Sequence, residues 1–111
     1  MKPLLSINPS TGFKIRSYNQ HNNVEIENIL NSSFEAQKNW KNTDLKFRLT
    51  CLEQLSEVLS DSKREYSSLM AEEMGKPFKQ GVGEIEKCIW LCNYYVENSK
   101  KYLDDKKIKT D

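Results

Sequence analysis

Phe78-Lys79-Gln80-Gly81-Val82-Gly83-Glu84-Ile85-Glu86-Lys87-Cys88-Ile89-Trp90-Leu91-Cys92-Asn93-Tyr94-Tyr95-Val96-Glu97-Asn98-Ser99-Lys100-Lys101-Tyr102-Leu103 is the stretch that decides the fold. Phe78, Val82, Ile85, Ile89, Cys92, Val96, Ser99 and Leu103 recur in alternating steps of four and three, which places them on one face of a helix. Beside this seam, Cys88, Trp90, Leu91, Tyr94 and Tyr95 make the middle of the helix apolar almost all round, the pattern of a helix covered on more than one side. At 1.5 Å per residue the span from Pro77 to Asp104 is about 42 Å, whereas a compact domain of this length has a radius of gyration of about 13 Å. The helix is therefore expected to be too long and too apolar for the rest of this chain to cover.

Working toward the amino terminus, Gly75 suits the left-handed position that closes a third helix carrying Tyr66, Leu69, Met70 and Met74, and Pro77 suits the first turn of the fourth. Leu45, Leu49, Leu52, Leu55, Val58 and Leu59 form a second amphipathic stripe, with Thr43 as its candidate cap and Ser60-Asp61-Ser62 as its end. Val24, Ile26, Ile29, Leu30 and Phe34, running on to Trp40, predict a first helix of about 16 residues, capped by Asn22 or Asn23. Ahead of it, Leu4-Leu5-Ser6-Ile7 and Phe13-Lys14-Ile15-Arg16-Ser17-Tyr18 flank the turn residues Asn8-Pro9-Ser10-Thr11-Gly12, a hairpin pattern. Two strands bury too little to be stable alone, so the hairpin must lean on another element. The expected fold is mainly α with an N-terminal β-hairpin: hairpin in 1–20, four helices in 23–104, polar tail in 105–111.

At 37% apolar and 30% charged residues over 111 positions, the composition is that of one ordinary globular domain. No stretch approaches the roughly 20 apolar residues of a spanning helix, and Met1-Lys2-Pro3-Leu4-Leu5 lacks the apolar centre of a signal peptide; the expectation is a cytoplasmic chain with no membrane partner. Lys and Arg number 17 against 16 Asp and Glu, with the signs interleaved, so no basic patch for nucleic acid is expected. The three cysteines make no even disulfide framework and fall in helical surroundings, as reduced thiols would.

Most motifs that carry chemistry fail on spacing. Gly75-Lys76 lacks the earlier glycine and the following Ser/Thr of a phosphate loop, since Met70 and Pro77 stand there. Gly81-Val82-Gly83 begins like a dinucleotide fingerprint, but Glu86 holds the third glycine position and no strand precedes it; close packing of a helix face accounts for both glycines. Cys88 and Cys92, one turn apart, supply two metal ligands where a closed site wants four, and are expected as buried small hydrophobes. Cys51 has no base to activate it, because the lone His21 lies in the polar linker before the first helix. Glu72, Glu73, Glu84 and Glu86 stand at adjacent or alternate positions that do not face each other, so a solvated face is expected. The residues themselves thus assign no catalytic, cofactor-binding or metal position.

The order of the pieces nonetheless resembles a family. Ile7-Asn8-Pro9-Ser10-Thr11-Gly12 with an extended Lys14-Ile15, a helix ending in Trp40, Arg48 in a Leu-rich helix, Glu72-Glu73-Met74-Gly75-Lys76-Pro77, then Glu84-Ile85 and Tyr94-Tyr95 resemble the amino-terminal region of the aldehyde dehydrogenase superfamily. The run from Glu86 to Asn98 is most similar to the bacterial succinate-semialdehyde dehydrogenases.

The resemblance implies an α/β parent with a Rossmann-like cofactor domain. In it a cysteine thiolate attacks an aldehyde, hydride passes to NAD or NADP, and water hydrolyses the thioester. The nucleophile, the oxyanion-stabilising Asn, the general-base Glu and the glycine turn match no position of this chain, which is expected to be an inactive amino-terminal fragment of a homo-oligomeric enzyme. The resemblance also implies that the fourth helix runs beside the substrate channel, with Gly83, Lys87 and Trp90 on one face. Lys87 would then attract a dicarboxylate-type substrate; the alternative for Lys87 is an exposed structural lysine. The rival to the whole scheme is a small helical interaction module that pairs through the Phe78–Leu103 seam, although Trp90, Tyr94 and Tyr95 would lie exposed outside a two-stranded coil.

Overall fold

A computed structural model describes residues 2–110; Met1, at the start of the expected hairpin segment, and Asp111, at the end of the expected tail, lie outside the described residues. Strands β1 (Leu4–Ile7) and β2 (Lys14–Tyr18) pair antiparallel, with Leu4 opposite Tyr18, Ser6 opposite Arg16, and a bulge between Ser6 and Ile7. The turn forms as its chemistry dictates. Asn8 Oδ1 accepts from the N–H groups of Ser10 at 2.9 Å and Thr11 at 3.2 Å, and Gly12 takes φ +72°, a left-handed conformation open to glycine.

Among the described residues four helices follow: α1 (Asn23–Trp40), α2 (Leu45–Asp61), α3 (Lys63–Met74) and α4 (Phe78–Leu103). Asn22 caps α1 in a reciprocal box with Glu25, each side chain accepting from the other's backbone N–H. At α2 the expected cap is displaced by one residue: Asp44, not Thr43, accepts from the Phe47 N–H at 2.6 Å. A carboxylate suits the positive helix start, and the Thr43 hydroxyl instead donates to the Trp40 carbonyl at 2.7 Å, closing α1. Gly75 ends α3 at φ +69°, as its position predicts. Pro77 precedes α4 as its N-cap and does not enter the first turn.

The seam of α4 packs on α2 and α3 of the same chain. Cys92 is buried, Val82, Ile85, Ile89, Val96 and Ser99 are half-buried, and the ends, Phe78 and Leu103, are exposed. Small polar groups close the helix crossings: Ser67 of α3 is fully buried and donates to the Lys63 carbonyl at 2.7 Å, and Ser56 of α2 donates to Asn93 of α4 at 2.9 Å. The hairpin rests on the C-terminal end of α3, where the Ser6 hydroxyl donates to Glu73 at 2.7 Å. Every residue of α1 is exposed. The radius of gyration is 19.9 Å and the extents are 67 × 41 × 28 Å, well above the roughly 13 Å of a compact domain of this length. Among the described residues Cys92 is the one buried hydrophobic side chain, so apolar surface remains open on several elements.

Candidate functional site

The side of α4 turned away from the seam carries the residues singled out for substrate contact. Gly83, Lys87 and Trp90 are all exposed there, and successive steps of four and three keep them in one stripe. A methyl group at Gly83 would meet no atom within 4 Å, so this glycine leaves a gap in the stripe. Trp90 is 62% exposed, a large apolar surface that the described residues leave mostly uncovered. Leu91 and Tyr95, both exposed, widen the uncovered area.

Tyr94 joins this face one turn beyond Trp90. Their ring centroids lie 5.9 Å apart with planes tilted by 32°, and Tyr95 meets Tyr94 edge-on at 5.4 Å. The hydroxyls of Tyr94 and Tyr102 are 2.6 Å apart, and the Asn98 amide donates to the Tyr94 carbonyl at 2.8 Å. The bond to Tyr102, then burial and the neighbouring phenols of Tyr102 and Tyr95, hold the Tyr94 hydroxyl above the ordinary tyrosine range. The Trp90–Tyr94 contact joins positions i and i+4, which share one helix face. The Tyr94–Tyr102 bond, eight residues apart, is not one that helical spacing announces.

Other candidates behave differently from expectation. Gly81 is close-packed as predicted, but Gly83 is not, so the two glycines serve unlike ends. Cys88 is exposed and not buried, because a step of four residues turns it about 40° farther around α4 than Cys92, to the border of the packed face. Cys51 is half-buried on α2. Of the four glutamates, Glu73 accepts from Ser6, Glu84 pairs with Lys76, and Glu86 pairs with Lys63 of α3 at 3.0 Å, so each of the three is engaged outside any carboxylate pair. His21 lies 3.7 Å from Glu25 at the start of α1. A groove of about 560 Å³ between α2 and α4, lined by Leu45, Leu49, Val96 and Lys100 among others, shares no residue with the Gly83–Lys87–Trp90 stripe.

The residues present do not fit a nicotinamide nucleotide. A pyrophosphate cradle needs a glycine turn between a strand and a helix, whereas Gly81 and Gly83 sit inside α4, with Gly81 pressed against Ser67.

The sequence matches the model of the aldehyde dehydrogenase family over residues 2–111. The chain belongs to the aldehyde dehydrogenase family. Among its relatives are a probable succinate-semialdehyde dehydrogenase [NADP(+)] of Synechocystis sp., 29% identical over 97% of this chain and 24% of its own length, and the succinate semialdehyde dehydrogenase [NAD(P)+] Sad of Escherichia coli, 29% identical over 89% and 21%. The succinate-semialdehyde dehydrogenase [NADP(+)] of Deinococcus radiodurans is 25% identical over 96% and 22%. This aldehyde dehydrogenase chain thus spans about a quarter or less of the curated relatives it matches. A solved structure of Gox0499, from work on its cofactor and substrate selection, superposes on all of this chain and 25% of its own, with a TM-score of 0.90 at 24% identity; it shares the fold. The expected mainly helical architecture with an amino-terminal hairpin is the one observed, and that structure shares it. The rival pairing module is not favoured, because α2 and α3 already occupy the α4 seam through which it would pair. No described helix is long and apolar enough to cross a membrane.

Proposed function

We propose that this chain is the amino-terminal helical part of an NAD(P)-dependent succinate-semialdehyde dehydrogenase, a homo-oligomer in its whole form, and that α4 supplies one wall of its substrate channel. The observation that carries the reading is the stripe of Gly83, Lys87 and Trp90 on the side of α4 that this chain leaves uncovered. In this reading the open position at Gly83 makes room for the aldehyde chain, Trp90 bounds it with a flat apolar surface, and the Lys87 ammonium attracts the carboxylate at the far end of the substrate. An ion pair at 4 Å is worth about 4 kcal/mol at an effective dielectric of 20 and far less where water reaches it, so Lys87 counts only where further chain covers the face. Nucleotide binding and the thiolate chemistry fall to parts of the enzyme that match nothing in this chain.

The test joins residues 1–111 to the remainder of the Synechocystis relative and compares oxidation of succinate semialdehyde with that of butanal. Lys87→Met is expected to raise KM for succinate semialdehyde roughly tenfold, about 1.4 kcal/mol, and to leave butanal unchanged. An equal effect on both aldehydes, or none, overturns the assignment of Lys87.

A further inference from the structure

Trp90, Tyr94 and Tyr102 form a chain of contacts along one helix that neither the family match nor the substrate reading explains. Trp90 meets Tyr94 ring to ring at 5.9 Å, and Tyr94 is tied at its hydroxyl to Tyr102 at 2.6 Å. The two ends of this ladder are twelve positions apart, about 18 Å along the axis.

An exposed indole normally exchanges among staggered rotamers, because little opposes its rotation. Here the Tyr94 ring obstructs that exchange, and Tyr94 cannot swing away without breaking its bond to Tyr102. A second constraint comes from Tyr95, edge-on to Tyr94 at 5.4 Å, and the Lys101 ammonium stands 5.8 Å from the Tyr102 ring. Tyr94 is thereby contacted by a ring on one side and a hydroxyl on the other, and Tyr102 by a hydroxyl and an ammonium.

We infer that Tyr102 is a positioning residue for Trp90: its hydroxyl locks Tyr94, and the Tyr94 ring fixes the orientation of the indole on the outward face of α4. The consequence for specificity rests on the substrate reading given above, in which the orientation of Trp90 sets the width of the wall beside Lys87. The relay itself stands on the geometry of α4.

The experiment uses the full 111-residue chain with Trp40→Phe, so that Trp90 is the sole tryptophan, diluted until light scattering shows a monomer, and reads time-resolved fluorescence anisotropy alongside far-ultraviolet circular dichroism. Tyr102→Phe keeps the ring and removes the hydroxyl; it is expected to raise the amplitude of fast local Trp90 motion at least about twofold at unchanged helicity. Tyr94→Phe breaks the same bond and should give the same rise, and the double variant should exceed neither single variant, as two ends of one interaction require. Tyr95→Phe leaves that bond intact and should change little. An unchanged Trp90 signal in Tyr102→Phe overturns the relay. So does an equal rise in Tyr95→Phe, which would mark general loosening of α4, or additive effects in the double variant. No aldehyde or nucleotide enters this measurement, so its failure is separate from failure of the Lys87 comparison.

Discussion

Gly81 of α4 lies so close to Ser67 of α3 that a methyl group on it would stand 3.2 Å from both the Cα and the Cβ of the serine. Ser67 is fully buried, and its Cα belongs to the α3 backbone, so the two helices approach at this crossing by having almost no side chain between them.

Gly81→Ala forces α3 outward at that crossing. Overpacking costs about 1–3 kcal/mol, against a gain of about 1 kcal/mol from the better helix former, so the variant should be less stable by about 1 kcal/mol. Gly83→Ala meets open space and should gain as much as about 1 kcal/mol. Urea unfolding of both variants checks the opposite signs.

Capping distinguishes Asp44 from Thr43. Asp44→Ala removes the acceptor for the Phe47 N–H and should destabilise by about 1 kcal/mol, with Asp44→Asn recovering most of it. Thr43→Ala loses an exposed hydroxyl bond to Trp40 and should shift the same unfolding curve by less than about 0.5 kcal/mol.

Trp90→Ala separates the chain from its longer relatives. In this chain the indole is largely exposed, so the change should stay within about 0.5 kcal/mol. In a full-length relative carrying the same helix, where further chain flanks this channel wall, it should cost more, about 1–3 kcal/mol, below the roughly 3–5 kcal/mol of a fully enclosed aromatic. Denaturant unfolding of the two proteins provides the comparison.

The uncovered surfaces of α1 and α4 should make the isolated chain self-associate and bind a hydrophobic dye. Light scattering that returns a sharp monomer, together with absent dye fluorescence, would contradict this. The same preparation, mixed with succinate semialdehyde and NADP, should produce no reduced nucleotide above the background without protein.

Alkaline titration should report the raised hydroxyl of Tyr94. Its hydroxyl is held above the ordinary tyrosine range by the bond to Tyr102, so whatever that bond contributes to the folded state is present below pH about 10 and is lost as pH rises through the raised value. Tyrosinate absorbance should place the Tyr94 ionisation above the ordinary tyrosine value of about 10, and Tyr102→Phe should lower it.

Local chemistry was enough for much of this molecule. The turn at Asn8–Gly12, the Asn22 cap, the left-handed Gly75 and the seam of α4 each follow from residues within a few positions of one another, because a turn, a cap or a helical face is decided by near neighbours in the chain. The resemblance to aldehyde dehydrogenases could also be seen from ordered short motifs, and the family match bears it out. What the spacing could not distinguish depends on which helix lies opposite. Gly81 and Gly83 are two residues apart and look alike in the sequence, yet α3 presses on one and leaves the other open. Cys88 and Cys92 read as equivalent until the crossing of α4 with its neighbours buries only the second. Thr43 and Asp44 are both acceptable caps, and the path of the chain leaving α1 gave Thr43 another partner. Tyr94 and Tyr102 meet because two long side chains lean toward each other along one helix, a matter of rotamers that no periodicity of positions contains.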